Sequence, residues 1–223
     1  PEDLAFAPGG GRLFAALPGS RKVEVYDSNP LSPGFLGSIA TIDLSSFGGS
    51  PERVAVGPDG TVALVSDPGA GYVHVVDADP SSPQAYQVIQ SNALDGDLRE
   101  SAFHPAGAIA YVTATTLSLV YVIDTDTASP SFGDAVNSFS IPGPVPQESP
   151  ISLSFTPDGS RCLILTSQLS GPANRSVVVF DTTDPLSPNA THDRPFGGSA
   201  DPIFEHIDVS PRGVYGQNTV AGI

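Results

Sequence analysis

Residues 105–130 read PAGAIAYVTATTLSLVYVIDTDTASP, and this stretch decides the fold. Pro105 presets φ and Gly107 supplies a positive φ, so Pro105-Ala106-Gly107 predicts a tight hairpin turn. Two short runs rich in β-branched and aromatic residues follow, Ile109 to Val112 and Val120 to Ile123, each with the length and composition of a strand. Asp124 closes the second run, and Ser129-Pro130 begins the next loop.

The same landmarks recur along the chain. The turn appears as Pro8-Gly9-Gly10, Pro58-Asp59-Gly60, Pro157-Asp158-Gly159 and Pro211-Arg212-Gly213. Steps from one turn proline to the next are 50, 47, 52 and 54 residues. Asp27, Asp77 and Asp181 close the runs that correspond to Val120–Ile123, and Ser32-Pro33, Ser82-Pro83 and Ser187-Pro188 follow them. From turn proline to aspartate the distance is 19 residues in three units and 24 in the fourth, where extra residues surround Gly171 to Arg175. Two landmarks held in phase over four units establish an internal repeat.

Each unit divides into four strands. The first precedes the turn (Leu4–Phe6, Val54–Val56, Ala102-Phe103, Leu153–Phe155), the second follows it, and the third ends at the aspartate. A weaker fourth is expected over Ser38 to Leu44, Ala85 to Ile89, Val136 to Ile141 and Thr191 to Phe196. Four antiparallel strands per unit of about 50 residues predict an all-β protein, a β-propeller of four-stranded blades. The expected blades are 1–48, 49–97, 98–148 and 149–200, with a partial one over 201–223, forming one domain. About four and a half blades make an incomplete ring. Two apolar blade faces would then lie in water, so missing blades or another chain are expected to close it. A first residue that is not Met is likewise read as the mark of a fragment.

Composition narrows the function. With 23 Gly and 23 Pro in 223 residues, helices would be broken every few residues, which excludes a bundle. No apolar run is long enough to span a bilayer as a helix. A net charge of −15 repels polyanions, so no nucleic-acid partner is expected. Cys162 is the single cysteine, which excludes an internal disulfide, and its place in a second strand predicts a buried structural thiol. Sequons at Asn174 and Asn189 agree with an extracellular setting.

The runs Ala110-Tyr111-Val112-Thr113-Ala114 and Val120-Tyr121-Val122-Ile123-Asp124-Thr125 resemble the YVTN-type, lactonase-like β-propeller repeat. Val75-Val76-Asp77-Ala78 and Val179-Phe180-Asp181-Thr182 are similar, although Ala114 stands where that repeat carries Asn and the units here are longer. The resemblance implies a scaffold with a central channel, whose mouth is surrounded by the connections entering the innermost strands. Those connections carry Glu52, Arg53, Arg99, Glu100, Glu205 and His206 as candidate ligand-binding residues, with Asp95, Asp97, Glu148 and Asp201 nearby.

No nucleophile elbow, zinc-protease helix or phosphate loop is present. The expected function is therefore a secreted or cell-surface (or periplasmic) scaffold that binds a protein or a small polar ligand, with no cofactor. The resemblance also implies an alternative, a metal-dependent lactonase in which Glu52, Glu100, Glu205 and His206 serve as ligands or bases, and Arg53 and Arg99 hold the substrate carboxylate. A dehydrogenase-type propeller subunit with a separate cofactor-bearing partner is a third. Asp27-Ser28-Asn29, Asp77-Ala78-Asp79 and Asp124-Thr125-Asp126 carry alternate oxygen donors that suit Ca²⁺. Aspartates at hairpin ends also cap their own turns, and the structural reading is preferred. His74, His104 and His192 are read as packed or solvated, His74 at an outward position.

Overall fold

A computed structural model describes residues 1–142, 148–168, 175–196 and 207–209. Its strands form four separate antiparallel sheets of four strands, each a simple meander. The first blade contains β1 (Asp3–Phe6), β2 (Arg12–Leu17), β3 (Lys22–Asp27) and β4 (Ser38–Asp43). The second contains β5 (Arg53–Val56), β6 (Val62–Asp67), β7 (Tyr72–Asp77) and β8 (Val88–Ala93). The third contains β9 (Leu98–Phe103), β10 (Ile109–Ala114), β11 (Leu119–Asp124) and β12 (Ala135–Ser140). The fourth contains β13 (Glu148–Phe155), β14 (Arg161–Gln168), β15 (Arg175–Asp181) and β16 (Asn189–Phe196). The arrangement is an incomplete β-propeller.

The middle strands of the second and third blades bury most of their side chains, because each of these blades is covered on both faces by its neighbours. Phe14, Val25 and Ile42 of the first blade share one apolar core with Ala63, Val65 and Val76 of the second. Leu64 and Val75 pack with Val112 and Ile123 between the second and third. Tyr111 and Val122 pack with Ile164 and Phe180 between the third and fourth. Burying side chains of this size stabilises by about 1.5–3 kcal/mol each. The far face of the first blade has no such cover among the described residues. Phe6, Phe35 and Leu36 lie 63%, 47% and 60% exposed there. At the other end, Ile207 joins the buried cluster of Leu165 and Val177, and its amide donates to Ser152 Oγ at 3.0 Å, so the chain continues alongside β13.

The turns follow from the repeated residues. In each blade the residue before the proline and the first of the second strand close the hairpin, as in His104 N to Ile109 O at 2.8 Å and Gly57 N to Val62 O at 2.8 Å. Gly159 adopts φ +70°, and a Cβ there would approach the His104 ring of the preceding blade to 2.5 Å. Glycine is thus required twice, for the left-handed backbone and for close approach of the preceding blade.

The repeated aspartate organises the loop between third and fourth strands. Asp124 Oδ1 accepts the Asp126 amide at 3.0 Å, and Oδ2 accepts the hydroxyls of Ser129 and Ser131, both at 2.6 Å. Asp27, Asp77 and Asp181 repeat the first bond. The alternate oxygens therefore serve the turn, as the capping reading expects. The Ser of Ser-Pro anchors the loop in the second and third blades through the carboxylate.

Three strand expectations are corrected. The fourth strand of the second blade runs over Val88–Ala93, not Ala85–Ile89, because Ala85 and Tyr86 complete the loop: the Tyr86 amide donates to Asp77 O, with Tyr86 at φ +63°. The first strand of the third blade begins at Leu98, so Arg99 and Glu100 lie within a strand rather than in the connection before it. His74 is not outward but fully buried, stacked on Tyr72 and packed against Phe47 of the first blade. A further regularity escaped the sequence pattern. In every blade the pairing of the third with the fourth strand slips by one residue, leaving Ile39, Ile89, Val136 and Thr191 unpaired as bulges. A bulge twists the outermost strand and disrupts the free edge it would offer to another strand.

Two outcomes are expected. Gly159→Ala should lose about 1–3 kcal/mol, from the left-handed backbone and the His104 contact. Gly11→Ala, where a Cβ meets nothing within 4 Å, should change the urea midpoint little. Equal midpoints for the two variants would contradict the packing described. Asp124, although burial works to raise its pKa, is held below the ordinary value by the Ser129, Ser131 and Asp126 bonds. Its folded pKa lies below the unfolded one, so its contribution is complete above the unfolded value near 4 and is lost as pH falls through the folded value. Asp124→Asn should therefore cost stability at pH 7 and flatten the acid limb of the stability–pH curve, read by thermal denaturation from pH 7 to pH 3.

Candidate functional site

In a four-stranded meander the first and third turns lie at one end of the blade, and the second turn and the connection to the next blade lie at the other. The Pro-x-Gly turns and aspartate loops therefore share one end. The opposite end, where the chain enters each innermost strand, carries the candidate residues Glu52, Arg53, Arg99 and Glu100. Arg53 opens β5, and Arg99 and Glu100 are the second and third residues of β9. Glu205 and His206 lie outside the described residues, as does Asp201.

Arg99 ties this end together. Its Nη1 lies 3.0 Å from Glu52 Oε2 of the second blade, and its Nε and Nη2 lie 3.0 and 2.9 Å from Asp97 Oδ2. One guanidinium thus spans two carboxylates from two successive inter-blade connections, a geometry suited to its planar fork. Arg53 donates to Glu52 O at 3.1 Å and stands 3.8 Å from Glu2 Oε1 of the first blade. The Glu100 amide donates to Thr113 Oγ1 at 3.0 Å. The structure brings Glu52, Arg53 and Arg99 into one charged rim with Glu2 and Asp97. Three carboxylates, Glu2, Glu52 and Asp97, stand against two guanidinium groups, so the rim keeps an acidic excess.

Several polar groups at this end gave no signal in the repeat. Asp3 Oδ2 accepts the Val54 amide at 2.9 Å and so couples the first two innermost strands. Asp67 is buried, with Oδ1 accepting the amides of Ser50 and Ala70 at 2.7 and 3.1 Å and Oδ2 lying 3.7 Å from His74 Nε2. Burial works to raise its pKa, but the His74 interaction and the two amides hold it below the usual carboxylate value. Glu148, which the sequence does place near the channel mouth, is buried at the start of β13 and accepts the hydroxyls of Thr166 and Ser176. An acidic residue that ends or begins a strand looks like a solvated terminus in sequence, and only the neighbouring connection reveals what it bonds.

Below the rim, the innermost strands line an open groove of ≈ 470 Å³ whose wall includes Ala5, Val56, Ala102 and Phe103, with Ser101 among these mostly apolar residues. Cys162 is fully buried in β14, and burial pushes its thiol pKa upward, which suits packing and not nucleophilic attack. Among the described residues, no three His, Cys, Asp or Glu side chains gather as a metal ion would need. The arrangement offers a fixed, mixed-charge rim around an apolar passage, able to hold a polar ligand by charge and hydrogen bonds.

No protein-family profile and no curated protein matches the chain. Solved structures do. A putative 6-phosphogluconolactonase from Bacteroides uniformis is similar with a TM-score of 0.74 and 18% identity over 96% of this chain and 62% of that one. Hydrazine synthase of Kuenenia stuttgartiensis gives 0.71 and 22% over 88% and 49%. The periplasmic gluconolactonase of Pseudomonas aeruginosa gives 0.65 and 19% over 86% and 56%. At these identities the likeness is one of fold alone, a β-propeller. The chain spans about half to three-fifths of the length of these structures.

The Arg99 bridge should contribute modestly, because Arg99 and Glu52 keep 39% and 29% of their side-chain surface in water. Arg99→Ala should cost roughly 1 kcal/mol or less at low salt, and less again at 1 M salt. A double-mutant cycle with Glu52→Gln, read by urea denaturation, should give a coupling energy of the same small size. Coupling unchanged by salt would contradict a solvated rim.

Proposed function

We propose that the chain is part of a secreted or cell-surface β-propeller that acts as a binding scaffold, with the charged rim as its contact surface. The observation that carries this reading is the Glu52–Arg99–Asp97 bridge. It fixes charged groups from successive blades in place, as a recognition surface requires. The same bridge engages Arg99, one of the two guanidinium groups that the lactonase reading assigns to the substrate carboxylate. The acidic excess of the rim favours a polar ligand, or a loop of a partner protein, that carries positive charge. Further blades, or another chain, cover the far face of the first blade. Asn189, exposed at the start of β16, and the fold likeness to a periplasmic lactonase support a setting outside the cytoplasm.

A metal-dependent lactonase is the second reading, favoured by the lactonase-like names of two of the similar structures. It draws on Glu52 and Glu100 together with Glu205 and His206.

Hydrolysis of glucono-δ-lactone, followed by pH-stat with and without chelator, separates the two. The scaffold reading expects no chelator-sensitive turnover above the uncatalysed rate. It also expects saturable binding of spermine at the rim, mapped by amide shifts near Glu52 and Asp97 and weakened severalfold in Glu52→Gln. Chelator-sensitive turnover lost in Glu52→Gln would overturn it in favour of the hydrolase. Absence of spermine binding at the rim would overturn the cationic-ligand part of the proposal.

A further inference from the structure

At the end opposite the rim, each pair of successive blades meets where the Pro-x-Gly turn of one faces the aspartate loop of the next, and the three meetings are not alike. Between the first and second blades, Arg12 reaches across. Its Nη1 donates to Ala78 O and its Nη2 to Gly60 O at 3.4 Å; the pKa of Asp79 is lowered chiefly by the Ser81 hydroxyl and amide, with the Arg12 charge adding to them. Between the third and fourth blades, His104 fills the same place. Its Nδ1 accepts the Ala106 amide at 3.2 Å, which leaves the proton on Nε2 to donate to Gly159 O at 2.9 Å. In both meetings a nitrogen donor of one blade binds the turn-glycine carbonyl of the next.

Between the second and third blades neither donor exists. By repeat position Val62 stands where Arg12 stands, and Gly57 stands where His104 stands. Two adjoining hollows of ≈ 490 and ≈ 460 Å³ open there, sharing Asp59 and Thr127 in their walls. Asp79 lines the first and Gly107 and Asp126 line the second, and no Lys, Arg or His side chain lines either. Gly107 O accepts Thr125 Oγ1 at 2.7 Å, and it keeps a second lone pair. Gly159 O shows that this carbonyl takes two donors at once, from Thr182 and from His104. Asp126 holds, in the third blade, the position that Asp79 holds opposite Arg12 in the second. Asp59 adds a carboxylate where the first blade carries Gly9.

The geometry points to the cleft between the second and third blades as a binding site for a guanidinium group supplied from outside, seated on Gly107 O between Asp59 and Asp126 as Arg12 is seated on Gly60 O. The internal repeat supplies the template: the equivalent cleft of the same chain already holds a guanidinium, and this one has the same carbonyl, added negative charge and empty volume. A planar group with several N–H donors satisfies a carbonyl and flanking carboxylates together. The bearer is either a small guanidinium compound or an arginine of a partner chain. This site is independent of the rim.

The test is a titration of the protein with N-acetyl-arginine amide, followed by amide NMR shifts, with the citrulline analogue as a neutral control of the same shape. Saturable shifts at Asp59, Gly107 and Asp126 are expected with arginine and not with citrulline. Asp126→Asn should weaken binding about tenfold, and Val62→Arg, which supplies an internal guanidinium, should abolish it. A pentapeptide with a central arginine that binds tighter than the amide points to a partner chain as the source, and equal affinity points to a small compound. The proposal is overturned by a lack of saturation, by equal response to citrulline, or by binding unchanged in Asp126→Asn. The last criterion stands even if Val62→Arg does not fold.

Discussion

A four-stranded antiparallel sheet has two faces, and in this protein both are apolar through its middle strands. That condition governs everything else in the structure. Such a sheet cannot be stable alone, because Leu64, Val75, Val112 and their counterparts would lie in water on one side or the other. Each blade is therefore stable only between neighbours, and the chain must place successive sheets face to face. Short connections and a constant unit length do this, since each blade then meets the next in the same orientation. The exposed Phe6, Phe35 and Leu36 mark the place where the condition is unmet.

The stacking leaves two rings of loops, and they are held by different chemistry. At the aspartate end, backbone and side chain are bonded locally: a carboxylate caps its own turn and collects serine hydroxyls a few residues on. Such loops are fixed within one blade, so what varies between blades is the residue that crosses the gap, Arg12 in one meeting and His104 in another. At the other end the connections pass from blade to blade, and charge bridges them, with Arg99 bonded to carboxylates of two connections. Local bonding yields identical loops, whereas cross-blade bonding yields surfaces that differ from one meeting to the next. Binding specificity in a repeat scaffold arises from the second kind.

The buried pair Asp67 and His74 belongs to the same logic. Asp67 fixes the connection from the first blade through the Ser50 amide, and His74 lies beneath Phe47 of that connection. Polar groups that anchor a crossing segment stiffen the contact between blades, at the cost of desolvating a carboxylate.

Strand content, turn positions and the repeat were legible in the sequence because they depend on neighbours within a few residues. Pro105 and Gly107 close a hairpin whatever lies around them, and Asp124 caps the turn that follows its own strand. Even the burial of Cys162 could be read, from its place in an apolar second strand. The fourth strand of the second blade departs from Ala85–Ile89 because the loop ends where Tyr86 adopts a left-handed backbone, which no residue type announces. His74 looked outward because its neighbours in the repeat are Glu24, Tyr121 and Val178, a set with no common chemistry. Its burial comes from Phe47 of another blade. The repeating unit follows from the residues alone, since local sterics and hydrogen bonds act within the unit. Which charges meet across blades and which clefts stand open depends on how the blades stack, because Arg12, Val62, His104 and Gly57 acquire their meaning from the blade opposite.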